Sequence, residues 1–541
     1  MFQKQSFIKG ALILTLAGFF VRLIGAGLRI FLAAIMGDEG IGLYQMAYPI
    51  YTTLLAISTA GIPTAISKLV AENLAYRDYR GAYRVFKISL LIMTILGAIF
   101  SLLLFGGAEF FVQKIVKDPR AYYPLISISP AILFVTVLSA FRGYFQGFQE
   151  MTPTASSQII EQFGRVAAVI ALVFLLLPRG LEYAAAGAAF GAVAGSFLAL
   201  LFLLLLYFRE RPAFIKKIKQ QTLHREYSSR QILYRIITLS VPITLGSLVI
   251  PLVNMVDLSV VPLRLHEAGY STEEATALYG QLTGMASSVI QFPLILTIAL
   301  AMSLVPAISE AQALRNSSMV RGRTDVAMRF TLFFSIPASF GLFVLAEPIT
   351  FVLFENTSAA YPLAMMAFGL IFLSLYTSTS GILQGLGFVL EPVKYMILGT
   401  FIKFVLSWVL TADPRLHIGG AALATVVSFL IASVLNMRKV SLVTGWRFSI
   451  GELLFKPLLA SIFMSWAVKV IYRMAEGMFA ASFSLRAAQA ASLFLSILCG
   501  MFIFLFVLFL VGGVREEDLK AVPRLGALLL KLARRLNLLK K

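Results

Sequence analysis

Apolar residues in this chain do not alternate with polar ones; they run in long unbroken stretches separated by short polar connections. A helix needs about 20 predominantly apolar residues to cross a bilayer. Stretches of that kind lie at 10–36, 44–68, 86–111, 122–144, 155–177 and 184–207. After a gap they resume at 232–261, 279–308, 327–354, 362–384, 393–410 and 419–440, with 453–472 and 487–511 left over. A membrane barrel would require short strands of alternating polarity, so the pattern predicts helices. The expected fold is an all-α polytopic membrane protein with about 14 transmembrane helices, grouped six, six and two.

The two blocks of six resemble each other. Ala65-Ile66-Ser67 after Pro63 returns as Ala307-Ile308-Ser309 after Pro306, and Gln146-Gly147 returns as Gln384-Gly385. Gly187-Ala188-Ala189 leads to Ser196-Phe197-Leu198, as Gly420-Ala421-Ala422 leads to Ser428-Phe429-Leu430. An even number of crossings leaves both blocks in the same orientation, the signature of a parallel repeat. The expected organisation is an N-lobe over 1–208, a basic linker over 209–231 and a C-lobe over 232–442. Two further spans occupy 443–512, and a tail runs over 513–541.

Composition excludes a water-soluble fold: of 541 residues, 59% are apolar and 13% charged, against about a quarter charged in soluble domains. The net charge of +20 raises the question of nucleic acid, and its distribution answers it. With the N-terminus placed in the cytoplasm, basic residues outnumber acidic ones by roughly three to one on that face and are in the minority on the other. The basicity is an orientation signal, with both termini cytoplasmic and no nucleic-acid partner. Arg22 and Arg29 interrupt the first apolar stretch, which is too long for a signal peptide and is read as the first span. Cys499 is the single cysteine, so no intramolecular disulfide is available.

Charges at bilayer depth face a water-filled cavity or a partner. Arg22 and Arg29 lie seven residues apart, two turns along one helical face, with no acid on that helix, and this pattern points to an anion site. Arg165 and Lys403 occupy matching positions in the two blocks, and Arg165 also has Glu161 four residues before it. Lys68 and Arg142 sit nearer the cytoplasmic ends of their spans, suited to an inward-open mouth or to anchoring. Asp257, in the seventh span, is a cavity acid that pairs with an arginine or holds a coupling ion. Pro242 and Pro251 bracket the middle of that span and predict a bend.

Enzyme chemistry is not expected. His224, His266 and His417 fall in connections, there is no metal-binding cluster and no nucleotide-binding glycine loop, and no cofactor is implied. After the last span, Leu525, Leu528, Leu529, Leu532, Leu536 and Leu539 share a helical face opposite Arg524, Lys531, Arg534 and Arg535. That arrangement predicts an amphipathic helix on anionic membrane lipids.

Several strings carry a family resemblance: Arg22-Leu23-Ile24-Gly25, Gly37-Asp38-Glu39-Gly40-Ile41-Gly42-Leu43-Tyr44, Gly61-Ile62-Pro63-Thr64-Ala65-Ile66-Ser67-Lys68, Arg142-Gly143-Tyr144-Phe145-Gln146-Gly147 and Leu304-Val305-Pro306-Ala307-Ile308-Ser309-Glu310. With them the chain is similar to the stage V sporulation protein B family. That family lies in the polysaccharide branch of the multidrug, oligosaccharidyl-lipid and polysaccharide exporter superfamily, beside the lipid II flippases.

The resemblance implies two six-helix lobes, two extra helices forming a groove for a lipid tail, and first-helix arginines lining the cavity. It implies a flippase for an undecaprenyl-diphosphate-linked cell-wall precursor, working by alternating access with a lipid-linked saccharide as substrate and cell-wall synthesis machinery as a possible partner. The alternatives are export of another lipid-linked polysaccharide unit, a cation-coupled drug antiporter, and a non-transporting scaffold. One departure is visible: where such flippases often carry a basic residue early in the first helix of the second lobe, this chain has Gly246 and Ser247.

Overall fold

The computed structural model describes residues 7–59, 61–221, 228–481, 483–516 and 518. The helices in the first part of the chain are α1 (Phe7–Thr59), α2 (Ile62–Ala75), α3 (Tyr79–Gly106), α4 (Ala108–Phe111), α5 (Tyr122–Gly147), α6 (Thr152–Leu176), α7 (Leu181–Gln220), α8 (Ser229–Ser247), α9 (Val249–Glu267) and α10 (Thr272–Gly280). They are followed by α11 (Ser287–Ala313), α12 (Ser317–Val344), α13 (Ala346–Phe354), α14 (Ala360–Ala367), α15 (Gly369–Gly385), α16 (Glu391–Leu410), α17 (Ile418–Thr444), α18 (Lys456–Phe479) and α19 (Leu485–Leu510). The fold is all-α, as the apolar pattern predicts.

Among the described residues, 12 helical stretches are long and apolar enough to cross a membrane. The pair α14 and α15, bent by 48°, makes a 13th. The first stretch, Ile13–Ala75, is 63 residues long. At 1.5 Å per residue its length is about three times the hydrocarbon thickness, so it accounts for two crossings. The break is one residue wide. Gly37 leaves helical geometry at φ 70° and ψ −174°, a conformation that glycine adopts without a Cβ clash, and Asp38 onward is helical again. The connection expected at 37–43 is therefore a one-residue joint.

The seventh expected span also divides. It ends as α8 at Ser247 and resumes as α9 at Val249, with Leu248 capping both. Pro242 and Pro251 flank this break and remove backbone donors on either side.

The chain separates into two compact units, Met1–Gly284 and Met285–Lys541. This division by packing falls inside the eighth expected span, whereas the sequence repeat divides at the basic linker. In the first unit a core of Ile66, Val70, Phe86, Phe141, Tyr144 and Phe145 knits α2, α3 and α5 together. A Cβ at Gly143 would lie 2.6 Å from the Pro63 carbonyl, and one at Gly147 would lie 2.7 Å from Val70, so both glycines permit close packing of α5 on α2. Within the second unit the repeated residues pack in the same way. A Cβ at Gly381 would lie 2.9 Å from the Ala301 carbonyl and one at Gly385 2.9 Å from Ile308, while Ser309 donates to the Gly385 carbonyl at 2.9 Å.

Candidate functional site in the first unit

The cationic residues of the first unit collect around a ladder of tyrosines. Tyr44, Tyr48 and Tyr51 follow one another at helical spacing on α1 beyond the Gly37 joint, with ring centroids 5.6 and 5.7 Å apart. Tyr44 and Tyr51 are buried. Tyr48 is the junction. The Arg29 guanidinium lies 5.8 Å from its ring centroid, within the range of a cation–π attraction, and Arg165 donates to its hydroxyl at 3.2 Å. Arg29, before the joint, and Arg165, on α6, are thus held on two sides of one phenol.

Glu161 is the carboxylate of this set. It accepts from Arg165 at 3.2 Å, the pairing its spacing predicts, and from Arg142 on α5 at 2.9 Å. Arg142 also donates to the Ser157 hydroxyl at 2.9 Å. One negative charge therefore serves two guanidinium groups. The Nε of Arg165 is buried and has no hydrogen-bond partner, so a donor is left over even there.

Arg22 and Arg29 form no ion pair among the described residues; Arg22 is exposed and Arg29 half-buried. One turn beyond Arg22, a Cβ at Gly25 would lie 3.5 Å from the buried Gln162 amide. The α1 stripe therefore meets α6 at Gln162, next to Glu161 in sequence and one turn before Arg165. The structure brings Arg29, Arg142 and Arg165 into one connected set and places Arg22 on its α1 edge. Lys68, exposed on α2, joins none of the hydrogen bonds or ion pairs of that set. Lys403 belongs to the second unit, where it is fully buried on the α16 face that also carries Gly399 and Ser407. Asp257 is buried on α9, close enough to Tyr279 to act on it electrostatically.

At the end of the first unit that carries the Gly37 joint, polar groups pair across several elements. Arg120 bridges Glu39 at 2.5 Å and Asp118 at 2.9 Å. Asp118 accepts from the Thr276 hydroxyl at 2.6 Å, and Asp38 accepts from the Gln281 amide at 2.8 Å. Gln45 donates to the Thr283 carbonyl at 2.9 Å. Gly42 and Gly280 let α1 and α10 touch backbone to backbone, since a Cβ on either would collide with the Thr276 or Asp38 carbonyl. This clamp closes one end of the tyrosine ladder.

Sequence reasoning overlooked the tyrosines, although their i, i+4, i+7 spacing was available. The link from Glu161 to Arg142 depends on tertiary packing and had no local signal. The predicted amphipathic tail beyond residue 518 and His224 lie outside the described residues.

The site is thus a cluster of arginines, unevenly opposed by one glutamate, within an all-helical bundle of membrane-spanning length. The comparisons with known proteins supply the class. The model of the polysaccharide biosynthesis protein family matches residues 7–312, and the chain belongs to that family. It is 32% identical to stage V sporulation protein B of Bacillus subtilis (strain 168), over 98% of this chain and 100% of that protein. It is 27% identical to the lipid II flippase MurJ of the same organism, over 86% and 89% of the two chains.

Among solved structures, lipid II flippase MurJ in an inward closed conformation matches with a TM-score of 0.67, at 17% identity over 92% of this chain and 98% of that one. An inward-facing multidrug resistance MATE family transporter of the MOP superfamily also matches with a TM-score of 0.67, at 16% identity over 79% and 98%. The protein is a membrane flippase or exporter of the polysaccharide biosynthesis protein family, not an enzyme.

Proposed function

We propose that this flippase carries a lipid-linked, diphosphate-bearing cell-wall precursor of the lipid II type from the inner to the outer leaflet of the plasma membrane. The observation that carries the reading is the charge imbalance of the first unit: Arg22, Arg29, Arg142 and Arg165 are opposed by Glu161 alone within that set. Guanidinium groups offer paired donors in a plane, the geometry that suits phosphate oxygens. A cation-coupled drug antiporter calls for the reverse imbalance.

In this reading the headgroup enters the cationic cavity while the polyprenyl tail remains in lipid, and the six-helix repeats over 1–208 and 232–442 provide alternating access. The termini lie in the cytoplasm. Lys68 sits at the inner mouth, Lys403 repeats the Arg165 position, and Asp257 is the acid that neutralises a cavity arginine or holds a coupling ion. Gly246 and Ser247, standing where related flippases often have a basic residue, favour a second reading in which another undecaprenyl-linked saccharide is the cargo.

The experiment is leaflet-resolved accessibility of lipid II in cells depleted of this protein and its paralogues. Lipid II should accumulate on the inner leaflet and return to the outer one when the wild-type chain is restored. Unchanged outer-leaflet exposure on depletion would refute lipid II as cargo. Full rescue by the Arg22→Ala, Arg29→Ala double variant would refute the cationic site.

A further inference from the structure

A cationic cavity lies in the second unit, apart from any residue assigned above. It has a volume of about 620 Å³ and is lined by Arg321, Ser441, Gly445, Trp446 and Arg447. Its walls come from the second turn of α12, the end of α17 and the segment leading to α18. All three border candidate membrane spans, so the cavity opens at a membrane–water boundary.

The local geometry is specific. Gly445 ends α17 in the left-handed region at φ 67°, which turns the chain sharply and leaves room for a guanidinium. A Cβ there would lie 2.8 Å from an Arg321 nitrogen. Trp446 is buried, its indole N–H held by Asp325 at 2.9 Å and its carbonyl accepting from the Ser441 hydroxyl at 2.5 Å. The floor is therefore rigid.

Neighbouring arginines have carboxylate partners: Arg323 pairs with Glu310, Arg329 with Asp518 and Arg515 with Asp325. Arg321 and Arg447 form no ion pair among the described residues, and both are exposed. Two guanidinium groups at a fixed cavity, with their acids allotted elsewhere, make a site for a phosphate. Leu442, Val443 and Ile450 beside it are 74%, 39% and 67% exposed. A cationic cavity bordered by exposed aliphatic side chains matches a molecule with a phosphate head and an apolar tail.

We infer that the cavity formed by Arg321, Ser441, Gly445, Trp446 and Arg447 binds the phosphate of an anionic membrane lipid, separately from the transported cargo. The inference does not depend on the lipid II reading.

The test uses the full chain carrying Trp408→Phe and Trp466→Phe, which leaves Trp446 as the fluorescent reporter. The protein is placed in phosphatidylcholine nanodiscs with increasing phosphatidylglycerol. Its emission should change and saturate, and Arg321→Gln with Arg447→Gln should raise the half-saturating lipid fraction by about tenfold or more. Native mass spectrometry should count one fewer retained phosphatidylglycerol in that variant, whose melting temperature in phosphatidylcholine alone should be unchanged. Equal curves and equal lipid counts in the two proteins would overturn the inference. So would a response to inorganic phosphate with none to phosphatidylglycerol, which would assign the cavity to a soluble anion.

Discussion

Arg329 in the second unit and the arginines of the first unit differ in what opposes their charge. Arg329 is 1% exposed. Its guanidinium grips Asp518 through two nitrogens at 2.8 and 2.5 Å, donates to the Gly513 carbonyl at 2.7 Å and lies 3.6 Å from Glu452. Arg515 joins the same network through Asp325 and Glu452. Here three carboxylates meet two guanidinium groups. In the set around the tyrosine ladder of the first unit, Arg142 and Arg165 share one glutamate, Arg22 and Arg29 form no ion pair among the described residues, and a buried Arg165 nitrogen is left without an acceptor.

Burial explains why the two balances cannot be exchanged. A charge sealed from water needs its full complement of partners in the protein, and Arg329 has it; its task is to fasten the chain after α19 to α12. An arginine with spare donors in a half-open setting is tolerable only where water or cargo supplies the acceptors. Charge accounting thus separates a fastening arginine from a binding one when both lie on apolar helices.

The largest effect that would break this contrast is a double dissociation. Arg329→Ala should destabilise the protein by about 3–5 kcal/mol, because it leaves the buried Asp518 carboxylate without its partner, as measured by thermal or denaturant unfolding in detergent. Arg22→Ala with Arg29→Ala should leave that unfolding curve in place and abolish transport. Equal loss of stability in both variants would erase the distinction.

Next in size is Glu161→Gln. It removes the charge shared by Arg142 and Arg165 while keeping a side chain of similar shape. We expect transport to fall by about tenfold, on the scale of a lost charge-assisted hydrogen bond, because two guanidinium groups lose their anchor. Insertion and abundance should be retained. Undiminished transport would show that Glu161 does not position them.

Tyr48→Phe probes a single contact. The ring under Arg29 stays and the acceptor for Arg165 goes, so transport should fall only by about fivefold, the value of one modest hydrogen bond. Tyr48→Ala, which removes both, should cost more. Identical activities in the two variants would show that the ring contributes nothing to placing Arg29.

These contacts also show what the linear sequence conveyed. Apolar run lengths carried the spans, because lipid imposes length and polarity on each helix separately. The proline pair around Leu248 conveyed the break in the seventh span for the same local reason. Arg22 and Arg29 were readable as a stripe, and Arg165 with Glu161 as a turn-spaced pair.

Arg329 was not readable as a fastening residue: it stands near the start of an expected span, and its partner Asp518 is brought to it only by the packing of the C-terminal helices. Arg142 looked like an anchor near a helix end until tertiary packing turned it onto Glu161. Gly37 was hidden for another reason, since one glycine suffices where the polar string around it suggested a loop.

The smallest expected effect concerns a carboxylate on the opposite side of the balance. Glu150 lies between α5 and α6, outside the spans, with Oε2 buried and lacking a hydrogen-bond partner. Burial, reinforced by the negative charge of Glu210, holds its carboxyl above the ordinary carboxylate range. A folded-state pKa above the unfolded one means that folding disfavours the ionised form. The penalty is therefore present in full above the folded pKa and disappears as pH falls below the unfolded value. Glu150→Gln should raise the melting temperature slightly at neutral pH, and the gain should vanish on acidification through the carboxylate range. The measurement is the difference between variant and wild-type melting curves as a function of pH. A constant difference would assign the effect to packing, whereas a reversed slope would mean that Glu150 is held by a cation after all and belongs with the matched carboxylates around Arg329.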